Sequence, residues 1–519
     1  MKKRHGFASL MLLTLALGMA WGQDRFAQPE DGASQPVAPV TAFEQNNPTA
    51  PVTENPPISA IDQPGLLPHA APLSYVQAGA HITESADSNV ANVVGGTGYH
   101  SVTRALGSLE LQRLWRNYDL ALVYVGGVGY YDVAGIGFKQ LQQLDVDQRI
   151  KWKRGQLAVR DSFSYLPEGN FAGGYGSLGA SGQALGEFGG SGFFGGSVLG
   201  GIGQVPRIMN LSLVDVTENL TPKSSVTASG GYSFVHYTGD HPGVVNIPFF
   251  GSTEVSAQAG YDRIVGHHDQ VALTYGYQGF RFTNPSSTSS QTDTSFHTHV
   301  VQLMWDHRIS GRTDFLVSAG PQFTRLNLYA LPSSGTAVNF PPCVLVVQEG
   351  VVECPIEDVR VTVAGRATLR YRFPKTYVDL AYERFTSSGS GIFPGANSNV
   401  VRVSMNRPLT RVWSIFSDAG YAHNSRIQAL SAAQEALCQL TSMNCPNVTA
   451  NTYSYGFAGL GVHRRLGHDF RVYGSYGFTY FTLDRSACGL PGSPPCKRNS
   501  QRQIVSIGVD WTPRPVRLD

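Results

Sequence analysis

From Val359 every second residue is apolar or glycine: Val359, Val361, Val363, Gly365, Ala367, Leu369, Tyr371 and Phe373. The residues between them are Arg360, Thr362, Ala364, Arg366, Thr368, Arg370 and Arg372. A period of two is that of a β-strand, whose side chains alternate between faces. Pro374-Lys375 then predicts a two-residue turn, because proline cannot donate to a ladder. With that turn, Arg370 falls opposite Asp379 and Arg366 opposite Glu383 on one face, while Leu369 meets Leu380 and Ala367 meets Tyr382 on the other. A soluble sandwich with its apolar face packed inward would show the same alternation. The rest of the chain separates the two readings.

From about residue 74 to 511 one rhythm repeats: strand, short connection, strand, longer loop. Short connections fall near Arg116-Asn117, Arg154-Gly155, Thr221-Pro222-Lys223, Gly266-His267-His268, Ser310-Gly311-Arg312, Pro374-Lys375, Leu409-Thr410-Arg411 and Gly467-His468. Longer loops fall near 85–100, 132–138, 167–210, 238–251, 283–295, 330–357, 387–398, 426–451 and 485–500. Eight turns alternating strictly with nine loops predict eighteen strands, with sixteen the alternative. Such alternation gathers the turns at one end and the loops at the other, the pattern of transmembrane barrels with short periplasmic turns and long extracellular loops. The expected fold is therefore all-β, an antiparallel up-and-down transmembrane barrel. An open edge in hydrocarbon would strand backbone groups, so the sheet must close.

The tryptophans support this. Trp115, Trp152 and Trp413 lie beside short turns, Trp305 somewhat deeper, and Trp511 ends the last strand at the same side. Each shares parity with apolar residues, as expected at a membrane interface. Tyr130, Tyr165, Tyr237, Phe280, Tyr329, Phe385 and Tyr480, near the loop ends, are expected to form the opposite girdle.

The chain opens MKKRHGFASLMLLTLALGMAWGQ, a basic start, an apolar run and a small-x-small site, which predicts a signal peptide over 1–22. The apolar run is too short to span a bilayer. Without that leader 36 basic residues face 37 acidic ones, a balance that predicts no nucleic-acid partner. Residues 23–73 hold ten prolines and no periodicity, and are expected to form a disordered periplasmic arm, either a linker or a docking segment. Residues 512–519 remain as a C-terminal tail.

The six cysteines fall two per long loop: Cys343 and Cys354, Cys438 and Cys445, Cys488 and Cys496. In an exported chain, local disulfides that stiffen each loop are the economical expectation; metal binding is the alternative, though no pair has CxxC spacing. Residues 169–203 hold fifteen glycines and a single charge, Glu187. With Phe171, Tyr175, Phe188, Phe193 and Phe194 this loop is poorly suited to solvent and is expected to fold into the lumen as a constriction.

Taken together, the leader, alternating turns and loops, aromatic girdles and third long loop resemble Gram-negative outer-membrane porins. Gly186-Glu187-Phe188-Gly189-Gly190-Ser191 is similar in its central four residues to the PEFGGD motif of the inward-folded porin loop, with glycine in place of the proline and serine in place of the aspartate. Trp511 matches the terminal aromatic of such barrels, although eight residues follow it. The resemblance implies an outer-membrane location, outer-membrane lipids and the barrel assembly machinery as partners, and a possible homotrimer.

Candidate pore-lining residues follow from parity: Arg360, Arg366, Arg370, Arg372, Asp379 and Glu383, then Arg402, and on earlier strands Asp145, Asp147, Arg149 and Arg160. A wall of arginines and carboxylates sets a transverse field that sorts solutes by charge. No GxSxG, P-loop or HExxH motif occurs, and no catalytic residue, cofactor or metal is expected. His297 and His299 share one parity but supply only two ligands. The expected function is a channel for passive diffusion of small hydrophilic solutes. Polysaccharide export, with a glycan as cargo, and a surface adhesin or scaffold are the alternatives.

Overall fold

The computed structural model describes residues 74–90, 98–133, 136–166, 206–238, 251–283, 294–310, 312–328, 356–373, 376–387, 395–427, 452–483 and 499–518. The leader, the arm, the 167–205 segment and all six cysteines lie outside the described residues, as do Glu187 and Phe188.

Eighteen long antiparallel strands and one two-residue strand form a single sheet. In chain order these are β1 (Tyr75–Asp87), β2 (His100–Leu114), β3 (Tyr118–Tyr131), β4 (Gly137–Lys151), β5 (Gly155–Leu166) and β6 (Arg207–Thr221). Next come β7 (Ser224–Tyr237), β8 (Gly251–Ile264), β9 (Asp269–Thr283), β10 (Thr294–Ser310), β11 (Thr313–Leu328) and β12 (Ile356–Arg372). The last are β13 (Tyr377–Ser387), β14 (Ala396–Pro408), β15 (Trp413–Arg426), β16 (Thr452–Leu466), β17 (Phe470–Leu483), β18 (Asn499–Trp511) and β19 (Val516–Arg517). Each long strand pairs with its chain neighbours, and β1 pairs with both β2 and β18, so the sheet closes. The eighteen long strands, of 11–17 residues, meet or exceed the 9–11 or so that a tilted strand needs to cross hydrocarbon.

All eight short connections lie between the predicted strands, and Gly467 opens the β16–β17 turn with φ at 70°, a conformation that favours glycine. The β12–β13 register is the predicted one, with Arg366 opposite Glu383, Ala367 opposite Tyr382, Leu369 opposite Leu380 and Arg370 opposite Asp379.

Burial decides which face meets lipid. On β12 Val361 is 65% exposed while Thr368 on the opposite face is 2% exposed. Leu303, Leu460, Val505 and Ile507 are likewise exposed, whereas Ser85, Gln302, Gln322 and Ser506 are buried. The oily positions therefore form the outside of the ring and the polar ones its inside, the reverse of a soluble core. Trp115, Trp152, Trp305, Trp413 and Trp511 are all exposed on the outer face. Their polar edges find partners: the indole N–H of Trp152 donates to Glu218 at 2.6 Å and that of Trp305 to Asp269 at 3.0 Å. Arg113 and Arg464 lie over the rings of Trp115 and Trp413. An indole with one wet and one oily edge suits an interface.

The opposite girdle differs in part from expectation. Tyr130 is exposed, as is Phe138 opposite it. Phe280, however, is fully buried on the inner face, clustered with Phe282, Phe296, Leu326 and Ile427. Tyr237 pairs in register with the buried Arg207, and Phe385 with the buried Ser398, so both belong to the inner side. Nearness to a loop fixes height, but only parity fixes face, and these strands carry aromatics on both parities.

The seam between β1 and β18 runs from Ala80 opposite Trp511 to Asp87 opposite Ile504. Its inner face is polar and dry. Arg502 Nε donates to Asp87 at 2.8 and 3.1 Å, His81 Nδ1 lies 2.9 Å from Asp510, and the Ser85 and Ser506 hydroxyls are 2.9 Å apart. Below Trp511 the expected tail continues the seam: β19 pairs with Tyr75 and Val76, and Gln77 donates to the Pro513 carbonyl at 2.8 Å.

Breaking a buried pair leaves an uncompensated charge, so Asp87→Ala should destabilise the barrel by about 3–5 kcal/mol. Urea unfolding in lipid vesicles checks this; an unchanged midpoint would show that Asp87 does not hold the seam.

Candidate functional site

The candidate pore-lining residues divide into two sectors of the inner wall. The first is built by β12, β13 and β14. Here Arg360, Arg366, Arg370, Asp379, Glu383 and Arg402 all lie on the inner parity and are half-buried. Arg366 Nε lies 3.0 Å from Glu383 Oε1, and Arg370 Nε 3.5 Å from Asp379 Oδ1. Arg360 donates to the Ile427 carbonyl, and Arg366 Nε also reaches Thr368 Oγ1 at 3.2 Å. Arg372 ends β12 at a position opposite Tyr377. Alternation brings these groups together: arginines two or four apart on one strand point the same way, and a tight turn sets the acids against them.

The second sector is built by β4, β5 and β6. Asp147, Arg149 and Arg160 are buried here, and Asp145 is half-buried. Arg149 Nη2 lies 2.8 Å from Asp147 Oδ2, and Arg160 pairs with Asp215. Lys151 reaches Asp119 across to β3. Asp215 and Asp119 were not among the expected residues. On β6 neither parity is cleanly apolar, since Met209, Leu211 and Leu213 share the inner face with Asp215, so alternation gave no signal for it.

The two sectors differ in access. The four side chains of the β12–β13 ladder are each 16–26% exposed, against 7% and 1% for Arg149 and Asp147. Arg149, Asp147 and Arg160 behave as buried wall, whereas Asp215 at 17% and Lys151 at 50% are as open as the β12–β13 ladder or more so.

Between them the inner wall is not uniformly polar. Val90, Val102, Tyr131 and Ile136 pack together near the loop end of β2–β4, and Val123, Val125 and Leu141 are buried on the same inner face. Ala272, Met304 and Leu316 form another inner cluster on β9–β11. His297 and His299 lie on the outer face, where Tyr277 and Tyr275 hydroxyls each approach an Nδ1 at 2.8 Å and the rings stack.

An even ring of strands, apolar outside, with tryptophans at the turn end and no open edge, decides the class. The chain is a closed, membrane-spanning β-barrel of the outer-membrane type. No family model matches it, and no curated protein matches its sequence. Among solved structures it is similar to Pseudomonas aeruginosa OccK2 (OpdF), at 9% identity and a TM-score of 0.38, covering 86% of this chain and 98% of that one. It is also similar to the outer membrane protein OpdK of the same organism, at 8% identity and 0.37, covering 85% and 98%. The ferric-catecholate import receptor Fiu of E. coli K12 gives 8% and 0.40, covering 84% and 81%. The class rests on the barrel's own geometry rather than on these likenesses.

The difference in access predicts a difference in energy. Asp215→Ala, which strands the buried Arg160, should cost about 3–5 kcal/mol. Asp379→Ala, at a hydrated pair, should cost about 0–1 kcal/mol. Urea unfolding in vesicles compares the two; equal costs would contradict the assignment of the β12–β13 ladder to solvent.

Proposed function

We propose that the barrel is a channel for passive diffusion of small hydrophilic solutes, with the β12–β14 ladder as the surface they pass. The observation that carries this reading is the half-open row of Arg360, Arg366, Arg370 and Arg402 against Asp379 and Glu383 inside a ring of eighteen strands. Rings of sixteen to eighteen strands are wide enough to enclose an aqueous passage. Four guanidinium groups against two carboxylates give this sector an excess of positive charge. A solute passing this sector would be steered by its negative groups. The glycine-rich loop around Glu187 and Phe188 would narrow the passage, and outer-membrane lipids would cover the outside.

Reconstitution into a planar bilayer tests this. Folded protein should give stepwise conductance favouring anions, and Arg366→Glu with Arg370→Glu should move the reversal potential in a salt gradient toward cation preference. Folded protein without conductance would remove the channel reading, and conductance unmoved by the charge reversals would remove the ladder from its path.

A further inference from the structure

The outer belt carries several polar groups: Glu84 on β1 has a hydroxyl donor on each carboxylate oxygen, from Ser101 and Thr103, and His299 and His297 are met by the Tyr275 and Tyr277 hydroxyls, whereas a polar island on β5–β6 is less completely satisfied. On β5 the outward positions are Leu157, Val159, Asp161, Phe163 and Tyr165, and on β6 they include Ile208, Asn210, Ser212, Val214 and Val216. Val159, Val214 and Val216 are exposed, as a lipid-facing surface requires, and Asp161, Asn210 and Ser212 are half-exposed among them. Asp161 stands directly opposite Ser212, and Phe163 opposite Asn210. On the other side Asp161 stands opposite Val146, six residues from Trp152. At ~3.3 Å rise per residue and a tilt of ~40°, that places the carboxylate ~15 Å above the tryptophan level, inside the ~25 Å apolar band.

An acid there has no good use for lipid. Its short stem cannot reach the interface, unlike Arg384, the exposed outward base on β13, whose long stem can snorkel. The island partly satisfies itself. Ser212 Oγ donates to Asp161 Oδ1 at 2.5 Å, and Asn210 Nδ2 approaches the two carboxylate oxygens at 3.3 and 3.4 Å. Oδ2 thus has only the long contact, and the second amide hydrogen of Asn210 is still available for donation.

We infer that the β5–β6 outer wall is the contact surface for a second copy of this chain, paired about a two-fold axis normal to the membrane. An axis between β5 and β6 sets β5 of one copy against β6 of the other at equal height. Asp161 then faces the other copy's serine and amide, and the reverse contact forms by symmetry, as a self-complementary interface requires. Donors and acceptors that hydrocarbon leaves idle are thereby matched. Next to the island, Ala228 and Gly230 on β7 permit close approach, and the exposed Tyr232, opposite Ser212, borders the contact. The resemblance noted above implied a trimer; this geometry favours a dimer. The inference rests on the barrel alone and not on the channel reading.

Sedimentation equilibrium of the full chain in density-matched detergent, with a photo-crosslinking amino acid at Tyr232 or, on the far wall, at Leu460, tests it. The expected result is a dimer that crosslinks from position 232 and not from 460. Asp161→Leu with Asn210→Leu and Ser212→Ala should weaken dimerisation by roughly tenfold or more. Heat-modifiable mobility on gels should show that this variant still folds, because the changes make a lipid face more apolar. A monomer at all concentrations, a trimer, crosslinking from 460 instead of 232, or a folded variant that dimerises as before would each overturn the inference.

Discussion

Backbone pairing in a solvent that cannot pair is the constraint on which the structure depends. Inside hydrocarbon each amide N–H and carbonyl must find a partner within the protein, and a sheet achieves this only by closing. The β1–β18 seam is therefore the decisive contact: it joins residues more than four hundred positions apart and removes the two edges that eighteen strands would otherwise present. The dry polar pairs behind it, Arg502 with Asp87 and His81 with Asp510, fix its register, because a slip by one residue would turn both pairs toward lipid.

Once closure is imposed, the two faces have different tasks. The outer one is mainly oily, with amphipathic rings where oil meets water. The inner one is free to vary, and it does: a buried ionic patch on β4–β6, apolar clusters on β2–β4 and β9–β11, and a more hydrated row of arginines and acids on β12–β14. The β12–β13 ladder is more open than the Arg149–Asp147 pair of β4, which serves the wall itself.

How much of this was legible in the sequence depended on the contrast between parities. The β12–β13 hairpin was readable to the level of individual pairs, because valine alternates with arginine and a tight turn leaves one register. Strand number and turn positions were readable for a similar reason, since breakers punctuate each hairpin. On β3 the pattern failed, because Leu122 and Val123 are both apolar yet lie on opposite faces. Phe280 failed likewise, its strand carrying Tyr275 and Tyr277 outward and Phe280 and Phe282 inward. Partners joined across a long loop or the seam were out of reach: nothing local relates Asp215 to Arg160 or Asp87 to Arg502. The polar island on β5–β6 was hidden in the same way, since Asp161 has Arg160 and Ser162 beside it and reads from sequence as one more polar wall residue.

The most direct test of the barrel is to ask which side of one strand touches acyl chains. With the five strand-end tryptophans changed to phenylalanine, single tryptophans placed at Val361, Thr362, Val363 and Ala364 can be exposed to lipids brominated along their chains. Strong quenching at 361 and 363 with weak quenching at 362 and 364 is the predicted result. Equal quenching at all four, or the opposite alternation, would contradict a ring with oil outside and its polar face within.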